Sequence, residues 1–391
     1  MGEPLRVLVI APTPFFGDRG CHVRIYEEAR GLAQVGIETR IVTYPTGRDV
    51  PDVVVTRARA FPGVRAGALG PSVGRPLLDL GLLGAAWRVA RGFRPHLLHG
   101  HLHEGIAIGM ALRAVFHRPL LADLQGSLTA ELADHGFVSE RGVPVRVIRR
   151  LERWLVRRPD RIVTSSHHAV ALLVAQGVSR DRIEPLPDGV DLEAFRPLPP
   201  DPVLRHGLGL DGRRVVAFLG VLTAYQGVDA LLAAAPIVAR AHADAHFVLM
   251  GYPNEEHYRD VVRARGLDAL VTLPGRVPYE EAARWLGLAE VAVSPKRSLT
   301  EANGKVLNYM ACALPVVASD TPINRELLGE LGRYAAVDDP ASLAARIVEL
   351  LDDPAGARTL GDALRRRAMD RFAWPGLIDR LATIYRMTLS S

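Results

Sequence analysis

Of the 48 lysines and arginines in this 391-residue chain, only Lys296 and Lys305 are lysine. Both fall in one stretch, Pro295-Lys-Arg-Ser-Leu-Thr-Glu-Ala-Asn-Gly-Lys-Val-Leu-Asn-Tyr-Met310. A bias towards arginine explains why lysine is scarce, but not why the two that remain are neighbours. An ammonium is a compact point charge and meets a phosphate differently from a planar guanidinium. The surrounding residues suit an anion site. Val291-Ala-Val-Ser294 reads as a buried strand ended by Pro295. Asn303 is a helix-capping type, and Gly304 lets the backbone approach a ligand closely. A helix is predicted from Lys305 to about Ala313, with Lys305 and Asn308 three apart on one face. Pro315 opens a further strand, Val316-Val-Ala318. A helix N-terminus at the C-terminal end of a parallel strand is where α/β proteins bind phosphate. The plainer alternative is a capped helix carrying two solvated lysines.

Such a site needs strands and helices in alternation, and the chain supplies them. Leu5 to Ala11 is a near-continuous apolar strand of the kind buried in parallel sheets. A loop bearing Gly17, Arg19 and Gly20 leads into an amphipathic helix over about Val23 to Val35, and Thr39 to Thr43 is the next strand. The amides of Gly17 and Gly20 are candidates to face an anion; a tight turn into a helix is the alternative. Pro95 to His99 and Pro119 to Gly126 read as further strands. Asp123 and Gln125, two apart, point to one face. His99, His101 and His103 alternate, so as a strand they share a face. No fourth ligand is evident beside them, and no metal site is assigned. Arg146 to Arg161 holds seven arginines around Trp154. That pattern fits a solvated helix face or a helix lying on an anionic membrane. Arg196-Pro-Leu-Pro-Pro-Asp-Pro202 is the best linker, placing one domain over 1–197 and another over 201–372. Beyond it strand–helix alternation restarts. Gly207-Leu-Gly-Leu-Asp-Gly212 matches a dinucleotide fingerprint in letters only, because it precedes its strand.

Composition sets bounds. Hydrophobic residues at 48% suffice for two cores, and the length suits two domains. The two cysteines, Cys21 and Cys312, show no ligand spacing and fit a reducing compartment. The first residues run straight into a strand without signal-peptide character, and no apolar run is long enough to span a bilayer. A cytoplasmic protein is expected, with peripheral contact to the inner face of a membrane. A pI near 9.4 permits anionic partners without specifying them, and no nucleic-acid partner is assigned.

Several motifs together resemble family 4 of the retaining glycosyltransferases, over nearly the whole chain. They are Pro187-Asp-Gly-Val-Asp191 with Phe195-Arg-Pro197, Gly220 followed by Gln226-Gly-Val-Asp229, Tyr309-Met-Ala-Cys-Ala-Leu-Pro-Val-Val317, and Trp374. The resemblance implies an α/β fold of two Rossmann-like domains facing a cleft (GT-B), with residues 375–391 packing back on the first domain. It implies that a nucleotide-sugar donor is bound by the second domain and an acceptor by the first; the sequence leaves the acceptor open, with a lipid or cell-envelope glycan precursor as the candidate. Transfer would retain the anomeric configuration and use neither a divalent metal nor another cofactor.

The chain departs from the family pattern at the diphosphate grip. The family's arginine after the first glycine is Val221, and its lysine before Gly-Val-Asp is Gln226. Glu301 stands one position out of register for the first of the paired glutamates; the second is Asn308, and Gln125 replaces a first-domain histidine. The resemblance, adjusted for these changes, assigns Glu301, Lys305, Asn308 and Gln125 to catalysis. It assigns Gly17, Arg19, Gly20, Gly220, Gln226, Lys296, Asn303 and Gly304 to donor binding. Rival expectations are a catalytically silent scaffold subunit and another GT-B enzyme, an epimerase or a phosphorylase.

Overall fold

Strands buried on both faces demand unbroken apolar side chains, and the central strands of this chain have them. A computed structural model describes residues 3–17, 20–63, 74–134 and 142–390. The first sheet contains β1 (Leu5–Ala11), β2 (Ile37–Thr43), β3 (Val55–Arg57), β4 (Leu97–His101), β5 (Leu120–Leu124), β6 (Arg161–Thr164) and β7 (Ile183–Pro185). Its order is β3-β2-β1-β4-β5-β6-β7, and every pairing is parallel. The second sheet contains β8 (Arg214–Leu219), β9 (Ala245–Met250), β10 (Val271–Gly275), β11 (Val291–Ser294), β12 (Val316–Ser319) and β13 (Arg333–Ala335). Its order is β10-β9-β8-β11-β12-β13, again parallel throughout. In each sheet the winding reverses next to the first strand, at β1/β4 and at β8/β11. A crevice opens at such a switch point, outside the strand C-termini.

The chain forms two units. One comprises Met1–Asp188, Thr300–Ala302 and Trp374–Ser391; the other comprises Gly189–Leu299 and Asn303–Ala373. The changeover falls at Asp188/Gly189, ahead of the Pro-rich 196–202 linker, because Val190 already bridges to Ala373. The helix Trp374–Leu389 lies on the helix Gly20–Gln34, so closely that a Cβ on Gly31 would sit 2.5 Å from Ile378 Cγ1. Close approach also seats the helix Leu102–Phe116 on the sheet: a Cβ on Gly105 would lie 2.8 Å from the Ile10 carbonyl oxygen.

Several local expectations change. The strand expected to end at His99 runs on to His101, and His103 belongs to the following helix, so the three histidines do not share a strand face. The helix expected from Val23 begins at Gly20, and the one expected over Lys305 to Ala313 is Gly304–Ala311. Arg19 lies outside the described residues.

Candidate functional site

In the second unit, three residues picked from sequence come together at the β8/β11 switch point. Lys305 Nζ donates to Gln226 Oε1 at 2.5 Å and stands over the Phe218 ring, 4.4 Å from its centroid. A Cβ on Gly220 would fall 2.6 Å from the same Nζ, and Gly220 has φ +155. The ammonium therefore occupies space that only glycine leaves open. Its position is held one turn later. Tyr309 accepts the N–H of Leu219 at 2.7 Å, tying the helix Gly304–Ala311 to the end of β8. Gln226 is buried, and so is Lys296, directly after Pro295 at the end of β11. The Pro295 carbonyl packs against Gly227, where a Cβ would lie 2.0 Å away.

Asn303 takes the N-cap position without capping by its side chain. Its amide donates instead to Ser294 Oγ at 3.0 Å and Asn324 Oδ1 at 2.7 Å, which fixes the loop that delivers Gly304 and Lys305. Asn308 is half-buried on the same helix.

Glu301, in contrast, belongs with the first unit. The adjacent Ala302 N–H donates to the Gln125 carbonyl at 3.1 Å, and Glu301 Cα lies 3.5 Å from where a Cβ on Gly126 would be. Gln125 is buried at the end of β5. Gly17 packs on His22, with a Cβ there 3.0 Å from Nδ1, and Gly20 begins its helix at φ +29.

The first unit also holds a charged cluster that sequence reasoning missed. Arg24 is fully buried, with Nε 2.8 Å from Asp123 Oδ2 and 2.9 Å from Glu28 Oε1, and Nη1 2.9 Å from Asp188 Oδ1. Burial works against its charge, yet the three carboxylates outweigh it and raise its pKa. Burial pushes Glu28 up to about 8 and, with Arg24, brings His101 down to about 3. His99 is lowered by burial and by His101, and its Nδ1 meets the Tyr385 hydroxyl at 2.9 Å. The sequence carried separate parts of it, the alternation of His99 and His101, Asp123 on β5 and the i, i+4 spacing of Arg24 and Glu28, but nothing that joined them.

His103 stands apart from this group and faces Glu152, 3.5 Å away. Glu152 also accepts the N–H groups of Leu128 at 3.0 Å and Thr129 at 3.1 Å, together with the Thr129 hydroxyl. Burial opposes its charge, but these partners prevail and hold it at about 2. The folded pKa lies below the unfolded value of 4.5. The stabilisation is therefore complete above that value and disappears as pH falls towards 2. Glu152→Gln is expected to cost about 3 kcal/mol at neutral pH, from 1.36 kcal/mol per pKa unit. Urea unfolding from pH 7 down to pH 3 checks this; a wild-type-minus-variant difference that does not shrink in acid rules the assignment out.

Comparison with known proteins decides the family. The model for group 1 glycosyl transferases matches residues 213–353, and that for the glycosyl transferase 4-like domain matches 19–189. The D-inositol 3-phosphate glycosyltransferase of Acidothermus cellulolyticus is 30% identical, over 99% of this chain and 91% of its own. The chain belongs to the GT-B glycosyltransferases, of the family 4-like kind. Solved structures agree on the fold. Sucrose-phosphate synthase of Thermosynechococcus elongatus superposes with a TM-score of 0.85 at 20% identity, over 99% of both chains. HepE of Anabaena, solved in complex with UDP-glucose, superposes with a TM-score of 0.78 at 15% identity, over 98% of this chain and 100% of its own. Within this glycosyltransferase, Val221 and Gln226 stand where the motif resemblance places the basic grip. The structure sets Lys305 directly on Gln226.

Proposed function

We propose that this glycosyltransferase takes a nucleoside diphosphate sugar and transfers the sugar with retention to an acceptor hydroxyl, without a divalent metal. The observation that carries the reading is the Lys305 ammonium lodged between Gly220, Phe218 and Gln226 at the β8/β11 switch point. As the bond from the anomeric carbon to the diphosphate breaks, negative charge collects on the leaving group. Lys305, the amides that open the helix Gly304–Ala311, and Lys296 stabilise that charge. Asn303 fixes the loop, and Asn308 supplies polar contacts to donor hydroxyls. Gln125 serves the acceptor side, and Gly17, Arg19 and Gly20 offer amides and charge to an anionic group. The UDP-glucose complex of HepE supports this donor class.

The test is product analysis with radiolabelled nucleotide sugars in excess EDTA. Undiminished transfer, with the nucleoside diphosphate released and the anomer retained, is expected. Loss of turnover that magnesium or manganese restores overturns the metal-free reading. A requirement for inorganic phosphate makes the protein a phosphorylase.

The acceptor reading is a lipid-linked or envelope glycan precursor met at a membrane, with the protein peripheral on the cytoplasmic face. Among the described residues no helix is long and apolar enough to cross a membrane. The helix Val143–Val156 instead exposes Val143, Val147, Leu151 and Trp154, spaced as one stripe, bordered on one side by Arg146, Arg149, Arg150 and Arg153. Its opposite face buries Val145, Glu152 and Val156. An outward apolar stripe with a basic border suits the headgroup boundary of an anionic bilayer. Flotation with phosphatidylglycerol vesicles should recover the protein, and recovery should fall as salt rises. Equal recovery with neutral vesicles counts against the docking.

A further inference from the structure

The buried cluster of the first unit has more lone pairs than its neighbours can use. Glu28 comes from the helix Gly20–Gln34, His99 and His101 from β4, and Asp123 from β5, where register sets it opposite His101. None of the four is more than 3% exposed, and each offers one ligand atom in a group whose members all lie within 4.8 Å of one another. His101 Nδ1 is 3.5 Å from Asp123 Oδ2, His101 Nε2 is 3.8 Å from Glu28 Oε2, and His99 Nε2 is 3.9 Å from Asp123 Oδ2. Both nitrogens of His101, His99 Nε2, Glu28 Oε2 and Asp123 Oδ1 lack a hydrogen-bond partner among the described residues. Buried polar atoms are rarely left so, and a convergence of them calls for an explanation.

We infer that Glu28, His99, His101 and Asp123 hold a divalent cation of the zinc class, as a structural ion that joins the helix Gly20–Gln34 to β4 and β5. Two imidazoles and two carboxylates form a nitrogen–oxygen set typical of such ions. Ligands at zinc distances stand about 3.3 Å apart in a tetrahedron, so the four groups, now within 4.8 Å of one another, draw in by up to about 1.5 Å around the ion. Charge agrees as well. Three carboxyl groups, those of Glu28, Asp123 and Asp188, face the single guanidinium of Arg24. A divalent ion gives the excess acid groups a cationic partner in a dry interior, where an uncompensated charge is costly. The surroundings are those of an outer shell. Tyr385 engages His99 Nδ1 and leaves Nε2 for the ion, and Arg24 lies against Glu28 Oε1 and Asp123 Oδ2. The pattern His-x-His-x-His showed its first two ligands; the others come from residues far away in the chain.

The test reads metal content, not turnover. Tag-free full-length protein, made in zinc-supplemented medium and dialysed, is assayed by elemental analysis. About one zinc per chain is expected. In Glu28→Gln and His101→Gln the content should fall below about a tenth of that, with circular dichroism showing folded chains. Should His101→Gln not fold, the near-isosteric Glu28→Gln carries the comparison. Protein stripped with a strong chelator should gain a few degrees in melting temperature on adding Zn2+ or Co2+. The Co2+ form should show the visible absorption of a four-coordinate ion. Wild type with neither bound zinc nor a thermal response to either ion overturns the inference. So do variants that keep the full complement. Magnesium and manganese belong to the separate EDTA assay of transfer.

Discussion

Replacing Lys305 by alanine lowers kcat/KM by about a hundredfold or more, with the fold intact. The magnitude is that of removing one donor to a charge developing in a transition state, about 2.7–4 kcal/mol. The two positions to which the motif resemblance assigns bases are Val221 and Gln226, and Gln226 spends its Oε1 on Lys305. Lys305→Arg restores little. A Cβ on Gly220 would meet Nζ at 2.6 Å and the Phe218 ring lies under it, so a guanidinium fork finds no room there. Lys296→Ala has the smaller effect, since the helix amides and Gly304 aim at the point held by Lys305. Initial rates and nucleotide affinity for the three variants measure this. A Lys305→Ala enzyme that binds nucleotide and turns over like wild type sinks the rebuilt grip and leaves Lys305 a structural residue.

Arg24→Leu is expected to remove about 3–5 kcal/mol of stability, the cost of taking one partner from a buried ion cluster. The side chain is about 1% exposed and serves Glu28, Asp123 and Asp188 at once. Without it these carboxylates face one another in a dry interior. Arg263→Ala is the control: that pair with Asp260 is 69% and 71% exposed, and such pairs are worth about 0–1 kcal/mol. Urea midpoints for the two variants compare them directly. A midpoint for Arg24→Leu as close to wild type as that of Arg263→Ala rejects the view that Arg24 holds the cluster together.

These two residues mark what the sequence makes legible. Lys305 stands out by type, because one of only two ammonium groups among arginines is visible without coordinates. The strand–helix alternation was equally plain, since strands buried on both faces must be apolar runs such as Val7 to Ala11. Arg24 gave no such sign. Glu28 is one turn away on the same helix, but Asp123 and Asp188 reach Arg24 only through the sheet and the loop after β7. Chain proximity also misleads. Glu301 reads as part of the helix region that follows it, yet its backbone is held by Gln125 and Gly126. Asn303 occupies the capping position that its type predicts, but its amide has better partners in Ser294 and Asn324. Period-two spacing grouped His103 with His99 and His101, until the strand ended at His101 and turned His103 towards Glu152.

The helix Trp374–Leu389 brings Tyr385 into the interior of a unit whose strands all lie before Asp188, with most of the second unit encoded between. Synthesis runs from the N-terminus, so a ribosome has made all six strands of the second sheet before it reaches the residue that covers His99. During that interval the groove at Gly31, which Ile378 will fill, faces water. The second unit, which needs only the three-residue excursion Thr300–Ala302 beyond its own segment, is able to fold first. Contacts between residues so far apart in the chain are slow to form. For this enzyme the earliest-made half is the last to be finished, and a nascent chain released before Trp374 leaves the tunnel carries an open first unit for a chaperone to hold.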